Sequence, residues 1–188
     1  MKVECLAELE QLSRRGLIDL YYGDESRVCL QGYVPYGWQF ADEEVFVPSS
    51  QGVGLNCFAL LTRTNACRFA TSAESIGSNF VVEQLEQLSF CLQRMTVVVL
   101  DNAPVHKSKP VQERRVFWEE RGLFLFYLPS YSPHLNIAEV LWRKLKYEWL
   151  QPSDYAQAQT LFYQTCQALA AVGSLLKINF SQFALGLK

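Results

Sequence analysis

The sequence predicts an α/β domain built on a mixed sheet flanked by helices, and three observations predict it. Short β-branched and aromatic runs bounded by turn residues dominate the chain up to Thr71. From Ser78 onward, segments with apolar residues at helical spacing alternate with short runs that are wholly apolar. Beyond Leu128 only helical segments remain before a final short element without assignment. Strands first, then alternating helix and strand, then helices, is the order of a sheet that is antiparallel on one side and parallel on the other.

Taken in order, residues 1–16, MKVECLAELEQLSRRG, alternate acids with leucine and read as a short helix or the remnant of a linker; residues 17–188 read as one domain. No apolar signal core precedes a cleavage site, so the product is expected to stay in the cytoplasm. Leu17–Tyr22 is a strand closing on Gly23 and Asp24. Val28–Tyr33, Glu44–Val47, Leu55–Leu61 and Cys67–Thr71 are further strands, the last two joined by T-R-T-N-A, a hairpin-length link. Phe80, Val81, Leu85, Leu88 and Leu92 fall at helical intervals behind Ser78, which predicts a capped helix over Ser78–Arg94. The strand Val97–Leu100, a helix Val111–Arg121 ended by Gly122, the strand Leu123–Leu128 and helices Asn136–Leu150 and Asp154–Ala171 complete the reading.

A chain of 188 residues, 49% hydrophobic and 13% aromatic, buries a sizeable core as one domain, and no uncharged apolar run reaches the roughly 18 residues of a bilayer span. Six cysteines stand without a C-x-x-C pair and His106 and His134 are the only histidines, which argues against zinc. The formal charge of −2 excludes a surface that grips nucleic acid all over, but it is unevenly spread. Residues 101–150 hold eight Lys and Arg against six Asp and Glu, whereas residues 1–100 hold seven against twelve.

The basic segment also carries acids. Asp101 leaves the strand T-V-V-V-L, apolar on both faces and therefore central; the exit of such a strand is where ligands of open α/β sheets collect. Taken alone, Asp-Asn before Ala-Pro is equally ordinary turn chemistry. Glu139 likewise completes a capping box N-x-x-E with Asn136, with Leu135 and Val140 as its staple, or pairs with Arg143 on the exposed side of the helix. On the same wheel, Ile137, Val140, Leu141 and Leu145 form the buried stripe while Glu139, Arg143 and Lys146 lie opposite. Asp24, in Y-Y-G-D-E-S, is unremarkable alone, and Glu25 beside it competes for any role.

Together, G-D-E-S, L-D-N-A-P-V-H and L-P-S-Y-S-P-H-L-N-I-A-E followed by V-L-W-R-K-L-K resemble the catalytic domain of DDE-type transposases, the mariner-like group and its bacterial insertion-sequence relatives. The resemblance runs from about Leu17 to Trp149. It departs at Ile137, where a proline is usual, and in a slightly long gap between the second and third acids. It implies an RNase H-like fold with Asp24 on the first strand, Asp101 at the end of the adjacent parallel strand and Glu139 on a later helix. It further implies that these three carboxylates hold two Mg²⁺ ions, for which Mn²⁺ substitutes, because Mg²⁺ takes hard oxygen ligands and two ions about 4 Å apart stabilise both ends of an in-line displacement.

Asn102, His106 and Asn136 match the same phrases and are read as supporting groups or phosphate donors. Lys107, Lys109, Arg143, Lys144 and Lys146 would neutralise phosphates without reading bases, or simply form a solvated face. Trp142 is expected to pack against the sheet. The implied substrate is double-stranded DNA, both transposon ends and target, cut and joined by a homodimer. No helix-turn-helix segment is recognisable, so a separate DNA-binding subunit is expected. A non-catalytic remnant acting as a dimerisation or inhibitory subunit is the alternative; a nuclease for RNA in hybrids lacks support from Y-S-P-H-L-N.

Overall fold

The computed structural model describes residues 2–30, 53–130, 132–181 and 183. Strands β1 (Asp19–Cys29), β2 (Gly54–Leu61), β3 (Cys67–Ser72), β4 (Thr96–Leu100) and β5 (Leu123–Tyr127) form one sheet in the order β3-β2-β1-β4-β5. The pairs β1–β2 and β2–β3 are antiparallel, and β1–β4 and β4–β5 are parallel. This is the mixed sheet that the order of segments predicts. The helices are α1 (Lys2–Arg14), α2 (Ser78–Ser89), α3 (Lys109–Glu120), α4 (Ala138–Lys144) and α5 (Ala158–Ala171).

Side chains alternate between the two faces of each strand, and the core divides accordingly. Leu20, Tyr22, Val28, Val97 and Val99 face one apolar layer together with Leu6 of α1, Leu141 of α4 and Leu161 of α5. Phe58, Leu60, Val98, Leu100 and Leu125 face the other, covered by Val81 and Leu85 of α2 and Val111 and Trp118 of α3. β4 is buried at every position, which is why its sequence is apolar without alternation.

The most consequential difference from the sequence reading is β1. The sequence predicts separate strands over Leu17–Tyr22 and Val28–Tyr33, yet Asp19–Cys29 runs unbroken through Gly23 and Asp24. The strand changes neighbours instead of turning: it pairs with β4 over Asp19–Tyr22 and with β2 over Tyr22–Cys29. Gly23 permits this because a Cβ there would lie 2.6 Å from Leu100 Cδ2 and 3.0 Å from Leu60 Cδ2. Asp24 therefore sits within a strand, not at its end.

The helices also differ at their ends. α2 starts at a Gly77 cap with no side-chain hydrogen bond, not at Ser78, and stops at Ser89, whose hydroxyl donates to the Glu86 carbonyl (2.7 Å) and competes with the next backbone bond. The helix predicted over Asn136–Leu150 is shortened at both ends: α4 begins only at Ala138, and after Lys144 the chain widens into a π turn over Leu145–Trp149, closed by Leu150 N–H donating to the Leu145 carbonyl (3.0 Å). Leu145 and Leu150 are both buried, five residues apart, so the widened turn keeps both in the core. Gln157 is extended and separates a 3₁₀ turn, Pro152–Ala156, from α5, so Asp154–Ala171 is not one helix. By contrast, Gly122 ends α3 as expected, with φ +93°, and the β2–β3 link turns on Asn65 at φ +67°. The predicted strand Glu44–Val47 and the far end of Val28–Tyr33 lie outside the described residues. Among those described, no helix is long and apolar enough to cross a membrane, and all six cysteines are free.

Candidate active site

The sheet register brings the first two acids together. Tyr22 of β1 lies beside Val99 of β4 in parallel register; continued by two residues, that register sets Asp24 beside Asp101, just past the end of β4. Asp24, two residues on from Tyr22 in β1, points to the face that carries Tyr22 and Val99, the face covered by α4. Neighbouring strands lie about 4.8 Å apart, so the two carboxyls approach through topology alone, across a long sequence separation. Glu139 arrives from above in the first turn of α4.

Asn136 fixes that arrival. Its Nδ2 donates to the Gly23 carbonyl (3.0 Å) while its Oδ1 accepts from the Ala138 amide (3.1 Å), and the residue is 3% exposed. The predicted capping box is thereby displaced: α4 is capped by Ile137 with no side-chain bond, because the Asn136 amide spans from helix to strand. Glu139 is left with its side chain exposed on the site.

Charge within the cluster is poorly tolerated. Burial, then the charges of Glu25 and Glu139 and that of Asp101, raise the Asp24 carboxyl from 3.8 to about 7. Trp142 Nε1 donates to Asp24 Oδ2 (3.0 Å), so this tryptophan packs against the sheet, as expected, and also holds an acid. Asp101 is lowered instead, first by hydrogen bonding to His106 and, against burial, by the Ala103 amide. His106 is fully buried: its Nδ1 meets Asp101 Oδ1 and its Nε2 meets Glu25 Oε1, both at 2.7 Å. Burial opposes a charged ring, yet the two carboxylates raise its pKa to about 9, so at neutral pH it carries both protons and donates both ways.

The remaining predicted residues divide. Lys146 is half-buried close to the acids; burial lowers its pKa while Glu139 and Asp24, among other groups, raise it. It shares an open groove along α4 with His134, Glu139, Arg143 and Tyr147. Asn102 donates to the Leu128 carbonyl (2.6 Å) and accepts from Lys107, which stacks 5.2 Å from the Tyr127 ring, so both tie β4 to β5. Lys109 pairs with Glu113 (3.7 Å) on the exposed start of α3 and is not gathered into the cluster. Lys144 pairs with Glu148 (2.5 Å), as an ordinary i,i+4 contact. In the sequence Glu25 only competes with Asp24 for a role, and its bond to His106 is not foreseen. Its only signal was strand alternation, which places it opposite Asp24 on the face of its β2 partner Phe58.

The sequence profile of the DDE superfamily endonucleases matches residues 19–161. The chain belongs to that family. Comparison with curated proteins gives no match. Among solved structures, this DDE endonuclease chain is similar to the Mos1 transposase paired-end complex with left transposon end, at 17% identity and a TM-score of 0.65 over 90% of this chain and 53% of that one. It is also similar to the simian T-cell lymphotropic virus intasome in complex with PP2A regulatory subunit B56 gamma, at 14% and 0.59 over 89% and 53%. The catalytic core domain of BIV integrase aligns at 12% and 0.50 over 81% of each chain. The chain thus spans about half the length of the first two. At these identities the likeness concerns the fold, which is the RNase H-like sheet of transposase and integrase cores.

Enzymes of this superfamily use divalent metals, and the donor set here fits one in chemistry: three carboxylates supply hard oxygens, and their mutual repulsion is what a cation relieves. The side chains do not form a finished cage, since among the described residues no three His, Cys, Asp or Glu groups converge tightly enough to hold an ion. Asp101 Oδ1 is committed to His106 and the Ala103 amide. A pH dependence follows from Asp24. Because its folded pKa of about 7 lies above the ordinary 3.8, its contribution to stability is present at low pH and is lost as pH rises from about 4 through about 7. A divalent cation that engages the ionised carboxylate is expected to raise the melting temperature clearly at about pH 8 and little at about pH 5. Thermal melts at both pH values, with and without Mg²⁺, check this; an equal gain at both would count against it.

Proposed function

We propose that the chain is the catalytic domain of a metal-dependent DNA transposase, cutting strands at the ends of a mobile element and joining them to target DNA. The observation that supports this reading is the parallel register that sets Asp24 beside Asp101, together with the Asn136 bridge that ties the start of α4, and with it Glu139, to β1. Mg²⁺, or Mn²⁺ in its place, would be held by these three residues and supply Lewis-acid activation of a water or a 3′-hydroxyl at the scissile phosphate. Around it, Trp142 orients Asp24 and His106 orients Asp101. Arg143 and Lys146, along the α4 groove, neutralise backbone phosphates, which makes binding salt-dependent and largely indifferent to sequence. No protein nucleophile is required, because water and the DNA hydroxyl attack in turn at one site.

The working assembly in this reading is a homodimer on paired DNA ends, with recognition of those ends supplied by a helix-turn-helix segment or subunit. Incubating the chain with pre-cleaved duplex ends and supercoiled plasmid, in Mg²⁺ or Mn²⁺, is expected to give nicked plasmid joined to the duplex. Failure with both metals, at protein concentrations that saturate the DNA, would favour a non-catalytic partner subunit and overturn the proposal.

A further inference from the structure

Glu25 is the one acid of the cluster that the proposed chemistry leaves unused. It follows Asp24 directly, but strand alternation sends it to the opposite face of the sheet. From there it reaches the end of β4 through a single fully buried side chain. His106, in the 3₁₀ turn Pro104–Lys107, lies between Glu25 Oε1 and Asp101 Oδ1 with 2.7 Å on each side. The turn itself is clamped, since Tyr127 donates from its hydroxyl to the His106 carbonyl (2.7 Å) and Ser108 donates to that of Val105 (2.9 Å). The ring therefore has little freedom to follow Asp101 elsewhere. His106 and the Ala103 amide both take Oδ1, leaving Oδ2 as the Asp101 oxygen without a partner among the described residues. The Asp101 side chain is 47% exposed, too open for packing alone to select one rotamer.

We infer that Glu25 is a positioning residue, which anchors His106 from the far face of the sheet so that Asp101 is held with Oδ2 turned to a divalent cation. The inference rests on the reading of Asp101 as a metal ligand. Groups that orient a ligand through a hydrogen bond typically change metal affinity by about 10–100-fold when removed. Glu25→Ala, which frees the ring, is accordingly expected to weaken Mn²⁺ binding by about 10-fold or more. Glu25→Gln retains an oxygen and an amide for Nε2 and is expected to recover most of that affinity.

Calorimetric titration of the full chain with Mn²⁺ reads both variants, with Asp101→Asn as reference. If Asp101→Asn loses binding and Glu25→Ala binds as the parent does, this inference fails and the site reading stands. If Asp101→Asn also binds as the parent does, both fail. A bridge that merely supports the fold would lower the melting temperature and leave the affinity of the folded protein unchanged, which likewise overturns the inference. Should Glu25→Ala not fold, the parent decides the matter. His106 is one of only two histidines, and Mg²⁺ is expected to shift its ring ¹⁵N resonances, whereas unmoved resonances at saturating Mg²⁺ refute the coupling.

Discussion

Asp101→Asn is expected to reduce metal-dependent DNA cleavage by roughly 10³-fold or more, equivalent to about 4 kcal/mol of transition-state stabilisation. The change is nearly isosteric. An asparagine oxygen still accepts from His106 Nδ1 and from the Ala103 amide, the two partners of Oδ1, so the turn after β4 keeps its shape. What disappears is the negative charge and, with it, a hard anionic oxygen for the cation. Its neighbours cannot replace it: Glu25 faces the other side of the sheet, and Asp24 already resists ionisation, with its pKa at about 7. The melting temperature is expected to move by only about a few degrees. A variant that cuts pre-assembled ends as fast as the parent would remove Asp101 from the catalytic set.

Trp118→Ala is expected to cost about 3–5 kcal/mol of folding stability, the largest structural effect of any single truncation in the layer beneath the site. Trp118 is fully buried in one apolar cluster with Val81, Leu85, Val98 and Leu123, so truncation removes a large side chain from the interior and leaves a cavity. Its indole nitrogen also donates to Glu86 Oε2 (2.8 Å), beside Arg114 and Arg121, each 2.6 Å from Oε1. Burial alone would raise the Glu86 carboxyl, but these donors hold it down to about 2. The cluster joins α2 to α3. Trp118→Phe keeps most of the volume and forfeits only the indole bond, so its cost is expected to be about 1–2 kcal/mol. Urea unfolding of both variants separates the two contributions; an alanine variant with the parent's midpoint would contradict the packing described.

Much of the architecture was legible because local signals agreed with tertiary demands. T-V-V-V-L reads as a central strand and is one, and Gly122 ends α3 where a left-handed residue is needed. Gly23-Asp24 misled because glycine before aspartate has the same local chemistry in a turn as in a strand that passes close under two leucines; only Leu60 and Leu100, distant in sequence, distinguish the cases. Asn136 misled for a similar reason, since a capping asparagine and one bonded to a strand carbonyl share one local pattern. The pairing of His106 with Glu25 spans 81 positions, and no periodicity links residues so far apart. The acids themselves stood out only as a set, since each alone has an ordinary structural explanation.

The π turn over Leu145–Trp149 bears on how the chain tolerates changes in length. An ordinary helix would bring residue 149 to the core after Leu145, whereas here Leu150 takes that place, so the segment accommodates one surplus residue as a swelling. Deleting a single residue there is expected to restore regular winding while Leu150 keeps its seat. The half-helix bearing Glu139 is thus insulated from register errors arising downstream.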